Sequence, residues 1–191
     1  KEKGSEFIGL AYPIESEEQV REILSGLKKQ HYDAVHYCYA CKLYKKSEKY
    51  SDDGEPSGTA GIRLLNAINH FGFTNVLIVS VRYFGGIKLG VGPLGKAYYT
   101  SGYETLLRAV PFTLRLFRKF RMITGFENVS LVHHIVNQSA GKINNSKYSD
   151  MFWAECLIPD ENSLEFLRVT TESSSGKIEI VHIEGDYLLP V

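Results

Sequence analysis

Apolar side chains recur along the first half of the chain at two spacings, which predict strands and amphipathic helices. After Ser16, a residue type that can cap a helix, apolar residues repeat every three or four positions as far as Leu27. Residues 76–81 form an uninterrupted apolar run between turns, typical of a strand buried in the middle of a sheet. The predicted order is a strand at 7–14, a helix after Ser16, a strand at 34–44, a polar loop at 45–58, a helix that Thr59 caps and Gly72 ends, the strand at 76–81, and a helix to about residue 109.

The pattern changes after Pro111. Between residues 112 and 126 apolar and basic residues alternate, and we interpret this stretch as the last strand of a first domain, a short crossing and the first strand of a second domain. Helices at 129–138 and 163–173 and strands near 143–148, 152–159 and 178–188 complete a β-α-β-β-α-β order, the ferredoxin-like layout. Periodicity therefore predicts a protein of the α+β class with two domains, at 1–114 and 115–191.

Composition restricts the class of protein more than it identifies one. The 191 residues are 43% hydrophobic, enough for real cores, and no apolar run is long enough to span a bilayer. Lys and Arg number 22 and so do Asp and Glu, so the net charge is zero and any nucleic-acid contact needs a local basic patch. Three cysteines, a low and odd number, favour a reducing compartment, so we expect a cytoplasmic protein that does not enter a membrane.

Two loops rich in glycine and charge flank the predicted helix and strand between residues 59 and 81. The first loop carries Asp52, Asp53 and Glu55, while Arg82 ends the strand and the second loop follows it. Glycine allows a backbone to approach a ligand or another backbone closely, so this concentration indicates a built surface rather than a tolerant connector. The residues that shape the two loops are Gly54, Pro56, Gly58, Thr59, Gly61, Phe84, Gly85, Gly86 and Gly90.

These loops carry a resemblance to a known family. The segments SDDGEPSGTAG (51–61) and VRYFGGIKLGVGPLGKAY (81–98) resemble the paired signature of the YigZ/IMPACT family. The segment HYDAVHYCYACKL (31–43) resembles the strand that the family carries just upstream. The resemblance covers most of residues 5–110 and continues more weakly, in layout, over the C-terminal part.

The resemblance implies more than periodicity does. It implies a first domain with the fold of elongation factor G domain IV and a ferredoxin-like second domain resembling domain V. It further implies a cytoplasmic protein linked to translation and its stress regulation. The family's eukaryotic members bind the activator of a general-control kinase that acts on a translation initiation factor, while bacterial members with this two-domain layout have no settled biochemical role.

Two short motifs suggest chemistry that their context disfavours. Cys38 and Cys41 have redox or zinc spacing, but positions three apart on a strand point to opposite faces, so we expect two independent buried thiols. The stretch 90–97 matches a phosphate-binding GxxxxGK, yet it ends in Ala97, which lacks the hydroxyl that holds Mg²⁺ in such loops. We therefore expect no cofactor and no metal site.

The acidic residues of the first loop admit three interpretations. Asp52, Asp53 or Glu55 could pair with Arg82 or Lys88 and pin the two loops together, which we favour, or the loop could contact a ligand or protein partner. The third interpretation is catalysis, for which Asp53, Glu55 and His36 are the weak candidates. His36 shares a predicted strand face with Cys38 and could pair with an aspartate of the loop, although such a histidine is more often a hydrogen-bonded core or rim residue.

Cations and aromatic side chains are mixed around the second loop. Such a mixture suits phosphate contacts and base stacking, although the aromatic residues could equally belong to the core. A second possible phosphate-facing edge is the basic strip of Arg115, Arg118, Lys119 and Arg121, whose alternative is a solvated strand face. The candidate binding residues are Asp52, Asp53, Glu55, Arg82, Tyr83, Lys88, Lys96 and Tyr98.

Three functions compete at this point. The first is RNA or ribosome binding through the edge at 82–99, with the C-terminal domain as a second contact. The second is regulation through a protein partner that docks on the loop at 52–61 without nucleic acid. The third is an enzyme with an acidic and histidine-containing cleft, which we consider less favoured than a binding role.

Overall fold

The structure, a computed structural model, describes residues 1–46 and 48–190. The chain forms two compact units, Lys1–Val110 (unit 1) and Pro111–Val191 (unit 2). The division comes before Pro111, whereas the sequence pattern placed it between residues 114 and 115. Both units combine a four-stranded sheet with helices, which confirms the predicted α+β class with two domains.

Unit 1 is built on an antiparallel sheet whose strand order is β1-β4-β2-β3. The predicted buried strand is β4, which lies between β1 and β2 and buries nearly every residue. Helix α2 ends at Gly72 in the left-handed conformation, as its sequence predicts. The elements are β1 (Glu6–Pro13), α1 (Glu17–Gln30), β2 (His36–Lys42), β3 (Glu48–Ser51), α2 (Gly61–Phe71), β4 (Val76–Tyr83) and α3 (Val91–Leu107).

Helices cover both faces of the unit 1 sheet. On one face α1 contributes Val20 and Leu27 to a core that includes Tyr37 and Cys41 of β2. On the other face residues of α2 and α3 pack against the alternate β2 positions, such as Cys38. The two-sided alternation predicted for β2 is therefore confirmed. Ser16 caps α1, its hydroxyl accepting a hydrogen bond from the Gln19 N–H.

Two predictions around the loop at 45–58 were wrong. Strand β3 occupies part of it and pairs with β2, although its sequence EKYS has no apolar alternation. Thr59 does not cap α2, because its hydroxyl donates to the Pro56 carbonyl. The Asp52 carboxylate, which is distant in sequence, caps α2 instead. It accepts hydrogen bonds from the backbone N–H groups of Gly58, Ala60 and Gly61 at 2.8, 2.9 and 2.7 Å.

Unit 2 has the strand order β6-β7-β5-β8, in which every neighbouring pair is antiparallel. This order with the β-α-β-β-α-β sequence confirms the ferredoxin-like layout. The stretch interpreted as two strands and a crossing is the single strand β5. The elements are β5 (Leu114–Thr124), α4 (Val129–Gln138), β6 (Lys142–Tyr148), β7 (Phe152–Pro159), α5 (Ser163–Ser174) and β8 (Glu179–Pro190).

Helices α4 and α5 share a core with one face of the unit 2 sheet. Phe120 and Met122 of β5 pack there with Val132 of α4 and Phe166 of α5. Across the described part of both units, no helix combines the length and the apolarity that a bilayer crossing requires.

Candidate functional site

A buried polar network joins the acidic loop (residues 52–61) to the end of β4 and to α3. Arg82 Nη1 donates to Glu55 Oε1 at 2.5 Å, and the Tyr98 hydroxyl donates to the same oxygen at 2.7 Å. The Glu55 and Arg82 side chains are only 4% and 6% exposed. The favoured interpretation, in which an acidic residue pins the two loops together, is thus confirmed for Glu55 and Arg82.

The Arg82 guanidinium extends this network to the glycine loop (residues 84–90). Its Nη2 donates to the Ser5 hydroxyl at 3.3 Å, and that oxygen also accepts from the Gly85 N–H at 3.2 Å. Gly85 packs so closely on the N-terminal segment that a Cβ at this position would lie 1.9 Å from the Gly4 carbonyl carbon. The Phe7 and Phe84 rings lie 5.4 and 5.6 Å from the guanidinium carbon. Arg82 therefore helps to fix the position of the glycine loop through its contacts with Ser5 and Phe84.

Asp52 and Asp53 are also used inside unit 1. Besides the capping role of Asp52, the Asp53 carboxylate accepts a hydrogen bond from the Tyr37 N–H at 2.7 Å and lies 4.0 Å from Lys28 Nζ. Asp53 adopts a positive φ of 42°, a conformation that aspartate tolerates better than most residues. The carboxylates of the acidic loop thus shape the loop and the start of α2.

His36 lies beside this network without forming the aspartate side-chain pair that we considered. Its Nδ1 lies 2.8 Å from the Asp53 carbonyl oxygen, and because a carbonyl can only accept, Nδ1 carries the proton. Its Nε2 is 3.8 Å from Glu55 Oε2. The neighbouring Cys38 thiol is fully buried, and burial raises its pKa to about 12. His36 therefore matches the expected hydrogen-bonded rim residue.

Cys38 and Cys41 are free thiols that contribute to different cores, as expected from their spacing on a strand. Burial also raises the pKa of Cys41. Within the described residues, no three His, Cys, Asp or Glu side chains are grouped as a metal site would require.

The structure corrects two of the candidate binding residues, Arg82 and Tyr98. Arg82 and Tyr98 are buried, at 5% and 0% exposure, so neither can contact a large ligand in this conformation. Tyr83 is half-buried, and its hydroxyl lies 2.9 Å from His31 Nδ1 at the end of α1. Sequence position alone suggested one continuous edge, but the fold directs Arg82 of β4 and Tyr98 of α3 inward.

Lys88 and Lys96 remain exposed, and they lie in an unusual environment. They flank the first turn of α3, which contains no acidic residue. Phe84, Ile87 and Val91 are 48%, 57% and 64% exposed in the same stretch. The residues from the glycine loop to Lys96 (residues 84–96) therefore present lysines and apolar side chains together, and we refer to them as the loop surface.

Arg63 of α2 lies against the loop surface, and it was not among the residues that the sequence predicted. A Cβ built on Gly95 would lie 3.3 Å from Arg63 Nε, so the guanidinium lies against α3 beside Lys96. Its position on the solvent side of α2, opposite the apolar stripe, was the available signal. Within the described residues Arg63, Lys88 and Lys96 form no ion pair. A groove of about 1040 Å³ between β1 and α3 begins at this surface, and its lining includes Gly92, Pro93, Lys96, Thr100 and Arg108.

The basic strip of β5 in unit 2 is different, because carboxylates neutralise much of it. Arg115 pairs with Glu161, and Arg118 pairs with Asp160 and Asp186. Lys119 and Arg121 share Glu155 at 2.6 and 2.5 Å. The four cations of this possible phosphate-facing edge are therefore engaged in ion pairs within unit 2, and the Arg121 side chain, which is 47% exposed, is the most accessible of them.

Comparison with known proteins identifies the family. Residues 3–106 match the model of the Impact N-terminal domain. The chain belongs to the IMPACT family. It is 31% identical over 186 residues to the IMPACT family member YvyE of Bacillus subtilis, covering 96% of this chain and 86% of that protein. It is 28% identical over 186 residues to the IMPACT family member YigZ of Escherichia coli, covering 95% and 91%.

The eukaryotic relatives match only in part. Protein IMPACT of Oryctolagus cuniculus is 37% identical over 83 residues, which are 41% of this chain and 26% of that protein. A solved structure described as the crystal structure of a hypothetical protein superposes with a TM-score of 0.68 at 28% identity, covering 96% of this chain and 91% of that one. The two-unit architecture is therefore shared with a solved structure over nearly its full length.

Proposed function

We propose that this IMPACT family member is a cytoplasmic, translation-linked regulator that binds RNA, free or in the ribosome, through its loop surface. The observation that carries the proposal is the group of three exposed cations, Arg63, Lys88 and Lys96, that form no ion pair among the described residues. Phe84, which is 48% exposed, belongs to the same loop surface as Lys88 and Lys96.

This arrangement supplies the contacts that single-stranded RNA requires. Lysine and arginine side chains without a carboxylate partner can bind phosphates, because no internal ion pair has to be broken first. The exposed ring of Phe84, on the same loop surface, offers a face on which a base can stack. The chain as a whole has zero net charge, so such a local patch is the physical requirement for this function.

The acidic loop supports the competing functions less well. Asp52 caps α2, Asp53 accepts a hydrogen bond from the Tyr37 N–H, and Glu55 neutralises Arg82. All three carboxylates are therefore already engaged within the fold. A docking partner or a substrate would have to displace those contacts. The link to translation itself rests on the family resemblance and on the likeness to elongation factor G, and likeness of fold is weaker support than the site.

The test is RNA binding by fluorescence polarisation of a labelled single-stranded oligonucleotide at several salt concentrations. The double variant Lys88→Glu/Lys96→Glu should bind more weakly, and its log–log salt slope should be smaller by about 1.4, or 0.7 for each lost phosphate contact. The control is Arg21→Glu/Lys29→Glu, which changes the net charge by the same amount at two exposed residues of α1. Because α1 packs on the other face of the sheet, this variant should bind RNA as the native chain does.

Co-sedimentation with ribosomes extends the same comparison to structured RNA. Circular dichroism of each variant first establishes that it is folded. No binding by the native chain at low salt would refute the proposal, as would equal losses in the two double variants. Arg82 is unsuitable for such a test, because Glu at that buried position would disrupt the fold.

A further inference from the structure

The face of the unit 2 sheet opposite α4 and α5 carries aromatic and charged side chains. Phe120 and Met122 of β5 point into the core with the helices, so the alternate residues Lys119 and Arg121 project from the other face. Cross-strand register places Trp153 and Glu155 of β7 on that same face, opposite Ile123 and Arg121. The face also carries Tyr187 of β8, opposite Phe117, and Lys147 of β6, opposite Trp153.

Each aromatic ring of this face has a cation against it. Arg121 lies 5.4 Å from the Trp153 ring centre, and Lys119 lies 5.9 Å from that of Tyr187. Arg115 and Lys142 lie 5.9 and 5.8 Å from the Phe117 ring. Phe117 is buried, whereas Trp153 and Tyr187 are half-buried, so a base can stack on the accessible part of these two rings once the weakly held cation is displaced.

Charge on this face is positive in spite of its ion pairs. Lys119 and Arg121 share the single carboxylate of Glu155, which leaves one positive charge unneutralised. Lys142 and Lys147 are exposed on β6 and add two more positive charges. Glu179 of the edge strand β8, opposite Ile123, contributes one negative charge. A face of this composition is complementary to a polyanion that carries flat rings.

We propose that the open face of the unit 2 sheet is a second RNA contact, which stacks unpaired bases on Trp153 and Tyr187 and binds phosphates through Lys142 and Lys147. This inference rests on the proposed function and extends it to a separate surface. Ile123 and Phe117, the register partners of the two rings, are about 20 Å apart along β5 at about 3.3 Å per residue. Single-stranded RNA fits this spacing because its bases can be splayed apart, as they are on other four-stranded sheets that bind RNA.

Trp153 makes the proposal directly measurable, because it is the sole tryptophan of the chain. A short oligouridylate is titrated into the native protein while tryptophan emission is recorded. Uracil stacking on the indole should quench the emission, saturating at the same RNA concentrations as polarisation of a labelled copy of the oligonucleotide.

Two variants separate charge from stacking, and both retain the tryptophan. Lys142→Gln/Lys147→Gln should lower the salt slope of the quenching by about 1.4, or 0.7 per phosphate contact. Tyr187→Leu leaves the charge unchanged and should weaken binding about fivefold or more through loss of one stacking face. The control is Arg168→Gln on α5, an exposed charge on the helical side, which should leave the quenching unchanged.

The outcomes distinguish the two proposed surfaces. Polarisation that depends on Lys88 and Lys96 without any change in Trp153 emission overturns the sheet-face proposal alone. Quenching that Lys142→Gln/Lys147→Gln and Tyr187→Leu leave at native strength overturns it as well. Quenching that weakens in those variants but not in Lys88→Glu/Lys96→Glu supports the sheet face and refutes the loop surface as the RNA contact.

Discussion

Removing the negative charge of Glu55 should destabilise unit 1 strongly. Glu55→Gln keeps an oxygen for Arg82 and Tyr98, but it leaves the guanidinium without a counter-charge where the side chain is 6% exposed. Arg82 is already under-satisfied, because its Nε has no hydrogen-bond partner within the described residues. Breaking one side of a buried ion pair costs about 3–5 kcal/mol. Since glutamine preserves the acceptor, we expect a loss near the lower end, about 3 kcal/mol.

The assay is urea unfolding followed by far-ultraviolet circular dichroism. With an m-value of about 2 kcal/mol/M, a loss of about 3 kcal/mol lowers the midpoint of the unit 1 transition by about 1.5 M. Trp153 fluorescence, recorded in parallel, follows unit 2. The matched control is Glu104→Gln, which removes the partner of Arg108 in an exposed pair at 3.2 Å on α3 and should cost less than about 0.5 kcal/mol.

A double-mutant cycle tests whether the pair itself is the cause. Glu55→Leu and Arg82→Met should each be costly, and the double variant should cost at least about 2 kcal/mol less than their sum, because no unpaired charge remains buried. Additive losses, or a Glu55→Gln cost below about 1 kcal/mol, would refute the view that this ion pair joins the acidic loop to β4.

Three further predictions concern other parts of the chain. Asp52→Ala should cost about 2 kcal/mol in urea unfolding, more than Asp52→Asn, because it leaves three backbone N–H groups without their acceptor. Iodoacetamide should label Cys38 and Cys156 far more slowly at pH 8 in the folded chain than in urea, as mass spectrometry would detect, because burial raises both thiol pKa values to about 12. The hydrogen bond from Lys119, and after it the one from Arg121, lowers the pKa of Glu155. The two ion pairs of Glu155 therefore stabilise unit 2 fully at pH values above the ordinary carboxyl pKa of about 4.3, and this stabilisation is lost as the pH falls through the lowered pKa. Glu155→Gln should therefore cost about 2 kcal/mol at pH 7 by Trp153 fluorescence in urea, and progressively less in acid.

Sequence periodicity located the elements whose residues bury one face. Helix α4 has the predicted bounds, and β4 and α1 were found because an apolar run or stripe is what their burial requires. Strand β3 was not found because its four residues are largely exposed, and hydrogen bonds to β2 rather than burial define it. Strand β5 was divided wrongly because its alternation of apolar and basic residues gave no indication that one strand could continue for 11 residues.

The candidate site could be predicted only in part. Ion pairs between residues far apart in the sequence decide which charged side chains remain free to bind a ligand. Glu55 and Arg82 are 27 residues apart, and Asp52 reaches α2 across a loop. A strongly charged motif suggests ligand chemistry when it is considered along the sequence alone. In the fold, the carboxylates of this motif neutralise its own arginine and bind its own backbone.

This distinction identifies which motif residues to test for function. Arg82 and Lys88 are both cations of one signature, but Arg82 is buried against Glu55 while Lys88 is exposed without an ion pair in the described part of the chain. Substitution of the first changes the free energy of unfolding, so a loss of activity there carries no information about a ligand. Substitution of Lys88 or Lys96 leaves every described ion pair intact, and any loss of RNA affinity is then attributable to the surface itself. The same reasoning favours Lys147 over Lys119 in unit 2, because Lys119 holds the buried carboxylate of Glu155.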